Sequence, residues 1–295
     1  MKEQFRQSKF RADSLAKIEQ MVQIVEEYQA QDLKLTARQL YYQLVKRNLI
    51  SNTTAEYKKL TALLTDARYA GFVDWEAIED RGRVPERHPQ WSSISDLVDS
   101  ALYGYRLPRW KTQPYYAELW VEKQALAGVL APLANEFHAT LMVNKGYSSA
   151  SAMYESAQRI KDNGGAGSNE RPTIIFYLGD HDPSGEDMVR DIKDRLCEFG
   201  CDALVVKKIA LTMEQVHQYD LPPNPAKLTD SRASSYIRKY GKSSWELDAL
   251  SPDVLASLIR RAFVSVIDSE AMEVVKRQEE LDKNKLRKVV AKMAK

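Results

Sequence analysis

Apolar residues recur at helical spacing from Ser14 to about Gln29, where Leu15, Ile18, Met21, Val22 and Val25 share one face. Thr36 is of a type that caps helix N-termini, so a second helix is expected after it, with Leu40, Tyr41, Leu44 and Val45 as its apolar set. Past the polar break Ser51-Asn52-Thr53-Thr54, a third helix is predicted from Tyr57, Leu60, Leu63, Leu64 and Ala67. Gly71, a strand-like FVDWEAIED and the basic residues Arg81 and Arg83 follow. Pro85, Pro89, Pro108 and Pro114 flank a short helical SISDLVDSAL, which predicts a surface connector and a domain boundary near residue 110.

Beyond that boundary the period alternates between strand and helix. Strand YYAELWV precedes helix KQALAGVLAPLANEF, strand ATLMV leads through Lys145-Gly146-Tyr147 into SASAMYESAQRI, and TIIFYLG precedes GEDMVRDIKDRLCEF, with strand ALVVKKIAL after it. Such alternation predicts an α/β fold with a mostly parallel sheet covered on both faces. WELDALSPDVLASLIRRAFVSVI returns to a helical pattern, and Ser269 to Lys295 is a charged helix that suits solvent, a partner or DNA. The expected organisation is residues 1–110, 111–268 and 269–295. In the first segment, three helices and a β extension with basic residues resemble a winged helix-turn-helix, in which one helix enters the major groove and the wing touches phosphates. A small protein-binding helical domain fits the same pattern.

Composition narrows the picture by exclusion. The 295 residues are 44% hydrophobic and 28% charged, which suits two modest folded domains rather than disorder. With 43 basic against 41 acidic residues, bulk charge makes no case for nucleic acid; that case rests on where the charges sit. Cys197 and Cys201 lack the partners of a structural zinc site. The absence of an apolar leader or of a span of roughly 18 apolar residues leads to the expectation of a cytoplasmic protein with reduced thiols and no membrane association.

Candidate chemistry lies at strand ends, where functional side chains gather in parallel α/β sheets. Glu122 follows AELWV, and Asp180 and Asp182 follow TIIFYLG, so three carboxylates are expected at one sheet edge, a hard-oxygen set suited to Mg²⁺. Asp180 and Asp182 share a side in an extended segment, whereas His181 points away and reads as structural. Each carboxylate also has a plain alternative: Asp182 before Pro183 as a helix cap, Glu122 as a rim charge beside Lys123.

In combination, LWVEK, NKGYSS and YLGDHDPSG resemble the Toprim domain, which cuts or joins nucleic-acid backbones. More narrowly, VEKQAL, KGYSSAS and DHDPSGEDM, together with Arg38-Gln39-Leu40-Tyr41-Tyr42, are similar to topoisomerase VI A subunits and the related meiotic double-strand-break transesterase. The resemblance covers about residues 1–210 and implies a winged-helix (CAP-like) domain before a Rossmann-like Toprim domain. It implies Tyr42 as nucleophile, Arg38 as its phosphate partner, Glu122 as metal ligand or general acid/base, and Asp180 and Asp182 as ligands of Mg²⁺, with Mn²⁺ as a substitute. DNA would also meet Lys123, Lys145, Arg81 and Arg83. It further implies a homodimer whose sites combine the tyrosine of one protomer with the Toprim domain of the other, a nucleoid location in a prokaryote, and a GHKL-type ATPase B subunit if strands are passed, since the sequence holds no nucleotide-hydrolysis motif.

The implied reaction is Mg²⁺-dependent attack by Tyr42 on DNA, forming a 5′-phosphotyrosyl link and freeing a 3′-hydroxyl. Three rivals remain: a Toprim-type hydrolytic nuclease or primase-like enzyme in which Tyr41 and Tyr42 pack, a non-catalytic DNA-binding protein, and a plain interaction module. Chain length is shorter than expected for topoisomerase VI A subunits, and the segment after Leu211 is only loosely similar.

Overall fold

The computed structural model describes residues 2–79, 88–144, 148–164, 171–225 and 232–293. It opens with helix α1 (Ala12–Gln29), strand β1 (Leu35–Thr36), and helices α2 (Ala37–Lys46) and α3 (Thr54–Tyr69). Thr36 caps α2 in a reciprocal box: its hydroxyl accepts from the Gln39 amide at 3.1 Å, and the Gln39 side chain accepts from the Thr36 amide at 3.0 Å. Strand β2 (Ile78–Glu79) pairs in parallel with β1. The extended stretch expected over FVDWEAIED is thus mostly turn, because Asp74 accepts from the Glu76 amide at 2.8 Å and bends the chain. Arg81 and Arg83 lie outside the described residues.

Helix α4 (Ile94–Gly104) belongs to the connector. After it come β3 (Tyr116–Val121), α5 (Ala127–Glu136), β4 (Thr140–Val143), α6 (Ala150–Gly164), β5 (Thr173–Leu178), α7 (Pro183–Glu198) and β6 (Leu204–Ala210). The four strands form a wholly parallel sheet in the order β4-β3-β5-β6. This is the α/β architecture that the alternating pattern predicts. The chain then runs through α8 (Met213–Gln218), β7 (Asn224–Pro225), α9 (Ala233–Tyr240), β8 (Ser243–Ser244), α10 (Pro252–Val264) and α11 (Ser269–Met293). Among the described residues, no helix is long and apolar enough to cross a membrane.

Every residue of β3 is buried, as a central strand covered on both faces requires. Register places Leu119 beside Phe176, and the Phe176 ring meets Phe263 of α10 at 5.1 Å. On the opposite face Glu118 receives the guanidinium of Arg159 from α6. Two separate cores were expected, yet the buried apolar residues form one continuous cluster running from Ile18 to Phe263. The helical unit at the N-terminus therefore packs onto the sheet unit.

Two further differences bear on function. Residues 245–251 carry a helical pattern but are not part of α10. Trp245 exchanges backbone hydrogen bonds with His181 at 2.9 and 3.0 Å, and a single 3₁₀ turn (Leu247–Ala249) follows. The charged helix α11 is anchored rather than free along its length. Glu279 is buried, accepting from Arg109 at 2.8 and 2.7 Å and from the Leu107 amide at 3.0 Å.

Candidate active site

The apolar strands β3 and β5 end side by side, and the residues just past them are where side chains can leave the sheet. The Glu122 amide donates to the Leu178 carbonyl at 3.0 Å, continuing the ladder by one residue. Glu122 Oε2 accepts from the Asp180 amide and from the Tyr177 hydroxyl, both at 3.3 Å. Burial, followed by the negative charges of Glu122, Asp180 and Asp182, holds the Tyr177 hydroxyl far above the ordinary tyrosine range. Glu122 thus meets the hydroxyl end of Tyr177, and Asp180 and Asp182 lie near enough for their charge to act on it.

They are not equally free. Asp182 caps α7, its Oδ1 accepting from the Gly185 amide at 2.7 Å with Pro183 in the first turn, as the cap alternative anticipated. Asp180 Oδ1 accepts from the Leu247 amide at 2.7 Å and pairs with the Lys123 ammonium at 3.0 Å. Burial pushes the Asp180 carboxyl up to about 7, against the opposing pull of Lys123 and Leu247. Gly185 is needed where it stands, since a Cβ there would come within 2.2 Å of the Asp180 carbonyl oxygen. His181 turns the other way, buried against Tyr236, whose hydroxyl lies 2.7 Å from Nδ1; it is structural, as its parity predicts.

The donor set suits a hard divalent ion: carboxylate oxygens gathered at one strand edge. Among the described residues, however, no group of three or more His, Cys, Asp and Glu stands in metal-binding arrangement. The free oxygens point to the second atom of each carboxylate, since Glu122 Oε1, Asp180 Oδ2 and Asp182 Oδ2 have no hydrogen bond among the described residues.

Sequence reasoning missed Glu246 and Asp248. Glu246 follows the extended residue paired with His181, and Asp248 lies in the 3₁₀ turn after it, with Leu247 buried between them. Lys123 donates to Glu246 at 3.1 Å and to Asp248 at 2.7 Å, besides its pair with Asp180. Burial alone would lower the lysine, but Asp248, Asp180 and Glu246 outweigh it and raise the ammonium well above its usual range. The ammonium is thus held by three carboxylates rather than turned to an open groove. The sequence offered no separate signal for them, since the apolar spacing from Trp245 onward reads as one helical pattern.

Glu246 also joins this edge to the N-terminal unit. Arg38 on α2 grips it with two bonds, Nε to Oε2 at 3.0 Å and Nη2 to Oε1. The Arg38 guanidinium lies over the Tyr57 ring at 4.6 Å and near the Tyr42 ring at 5.6 Å. Tyr42, one helical turn on, is 1% exposed, and its hydroxyl accepts from Asn224 Nδ2 at 2.9 Å. Burial, then the charge of Glu246, pushes that hydroxyl up to about 12. Tyr41 points elsewhere, to Asn52 at 2.9 Å and the Thr53 carbonyl at 3.1 Å.

The structure thus brings Arg38, Tyr42, Lys123, Glu122, Asp180 and Asp182 into one region of a single chain. Lys145 lies outside the described residues, as do Arg81 and Arg83. No known family profile and no curated protein matches the chain.

Proposed function

We propose that this protein is a metal-dependent DNA-cleaving transesterase with Tyr42 as nucleophile, of the kind found in topoisomerase VI A subunits. One observation carries the reading: a continuous chain of charge pairs runs from Arg38, beside Tyr42, through Glu246 and Lys123 to Asp180. The Arg38–Tyr42 motif and the Asp180 strand end, far apart in sequence, meet through it, as a tyrosine chemistry assisted by a carboxylate edge requires.

In the reaction the Tyr42 oxygen gives up its proton, bonds to phosphorus and displaces the 3′-oxygen, which takes a proton and leaves as a hydroxyl. Arg38 binds a non-bridging phosphate oxygen, countering the charge that grows on the phosphorane. Glu122, Asp180 and Asp182 would hold Mg²⁺ or Mn²⁺, which supplies Lewis-acid stabilisation of the transferring phosphoryl group. The winged-helix and Toprim assignments and an ATPase partner belong to this same proposal, as does a homodimer, which would here pair two sites each assembled within one chain rather than exchange tyrosines between protomers.

Incubation with end-labelled duplex DNA and Mg²⁺ or Mn²⁺, quenched in detergent, tests it. Labelled DNA joined to protein in the wild type and absent in Tyr42→Phe is the expected result. Cleavage that survives Tyr42→Phe without adduct would establish the hydrolytic reading instead, which the burial of the Tyr42 hydroxyl favours.

A further inference from the structure

Glu246 is a carboxylate in an unusual position. A bidentate arginine and a lysine converge on it from two different parts of the chain, the nucleophile helix α2 and the end of β3. Burial would push its carboxyl up, but Lys123 and Arg38 outweigh burial and hold it below the usual range. Its two oxygens take the two donors of Arg38 in the fork geometry that arginine equally offers to a phosphodiester. The Tyr42 ring flanks the same guanidinium. Asp180 and Asp248 also pair with Lys123, and Asn224 donates to the tyrosine hydroxyl.

We infer that Arg38 and Lys123 form a phosphodiester seat and that the Glu246 carboxylate occupies it in this closed state, as an internal stand-in for a DNA phosphate. The inference rests on the reading of the protein as acting on DNA and extends it to regulation of that site. Glu246 belongs to the stretch 243–249, which a backbone pairing with His181 holds in place. Withdrawal of that stretch takes Glu246 from both cations and Asp248 from Lys123, which leaves the Arg38 fork open to a phosphate while Lys123 keeps its pair with Asp180. Incoming DNA therefore competes with a resident carboxylate before it reaches the nucleophile.

Two measurements in EDTA, where no cleavage proceeds, test this on the full chain. The first is duplex binding by fluorescence anisotropy over a salt series. Glu246→Ala should tighten binding roughly tenfold by removing a charge-assisted competitor, and should steepen the salt slope by about one to two. Glu246→Gln, which keeps the side chain's shape, serves if the alanine variant does not fold. The second is thermal melting in sodium phosphate against chloride at equal ionic strength. Phosphate should raise the midpoint of the Glu246 variants by on the order of 2 °C and leave the wild type unmoved. Arg38→Ala added to either variant should erase both gains.

Folded Glu246 variants that bind DNA no tighter and gain nothing from phosphate overturn the seat, whatever the wild type does with DNA. A phosphate gain without any DNA binding upholds the seat and overturns the DNA reading.

Discussion

Glu118 stands on β3 and Asp180 just past the end of the neighbouring strand β5, and their surroundings differ in kind. Glu118 is fully answered: Oε1 accepts from the Tyr116 hydroxyl at 2.7 Å and Arg159 at 2.8 Å, and Oε2 from the Trp120 indole at 2.7 Å and Arg159 at 3.0 Å. Asp180 belongs to a group with Glu122, Asp182, Glu246 and Asp248, to which Lys123 and Arg38 are the bonded cations among the described residues. A carboxylate with four donors gains nothing from another cation, whereas an edge with surplus negative charge does. Full satisfaction marks a structural charge; unmet charge marks the place where a ligand belongs.

That contrast can be broken at its structural pole. Arg159→Met should leave a buried carboxylate uncompensated and destabilise the protein by about 3–5 kcal/mol, read from urea or thermal unfolding. Glu246→Gln should cost less stability, because Lys123 keeps Asp180 and Asp248 as partners and Arg38 is partly open to solvent. Equal losses for the two variants would erase the distinction.

At the other pole, Asp180→Asn should leave folding intact while lowering the proposed DNA cleavage by about 10²–10³-fold, the scale of losing one electrostatic contributor to a transition state. A variant that cleaves as well as the wild type would remove Asp180 from the chemistry.

The pH dependence is a milder probe. Asp180 is held at about 7 in the folded protein against an ordinary 3.8, so its protonated form favours the folded state. In metal-free buffer its contribution is fully present below the ordinary value and is lost as pH rises through about 7, by up to about 1.4 kcal/mol per pH unit in that window. Asp180→Asn should flatten this slope in thermal melts between pH 4 and 8. A slope unchanged by the substitution would assign it to other groups.

The smallest effect is expected at Asn224, which donates one hydrogen bond to the Tyr42 hydroxyl at 2.9 Å. Asn224→Ala should cost about 1 kcal/mol of stability and should push the Tyr42 titration, followed by ultraviolet absorbance, further up. A downward shift would show that Asn224 does not favour the tyrosinate.

Much of this was legible in the chain itself. Short apolar runs and period-3.6 patterns placed the four parallel strands and the helices between them within a few residues, because apolar patterning is a local property of a buried element. The cap at Thr36, the helix start at Asp182 and Pro183, and the inward turn of His181 also follow from neighbours along the chain. Acidic residues just past apolar strands marked Glu122 and Asp180, since strand ends are where a parallel sheet exposes functional groups.

Other features were decided only in three dimensions. Trp245 and Glu246 fit a helical pattern, but pairing of Trp245 with His181 holds them extended, and a backbone partner 64 residues away outweighs a weak local preference. Nothing in the composition assigns Arg38 to Glu246, 208 residues distant, or sets one lysine against three carboxylates. The chain by itself determined which elements form and where carboxylates can leave the sheet, because periodicity and capping act over a few residues. Tertiary structure alone decided which charges meet, because ion pairing depends on distances between segments that the sequence leaves far apart.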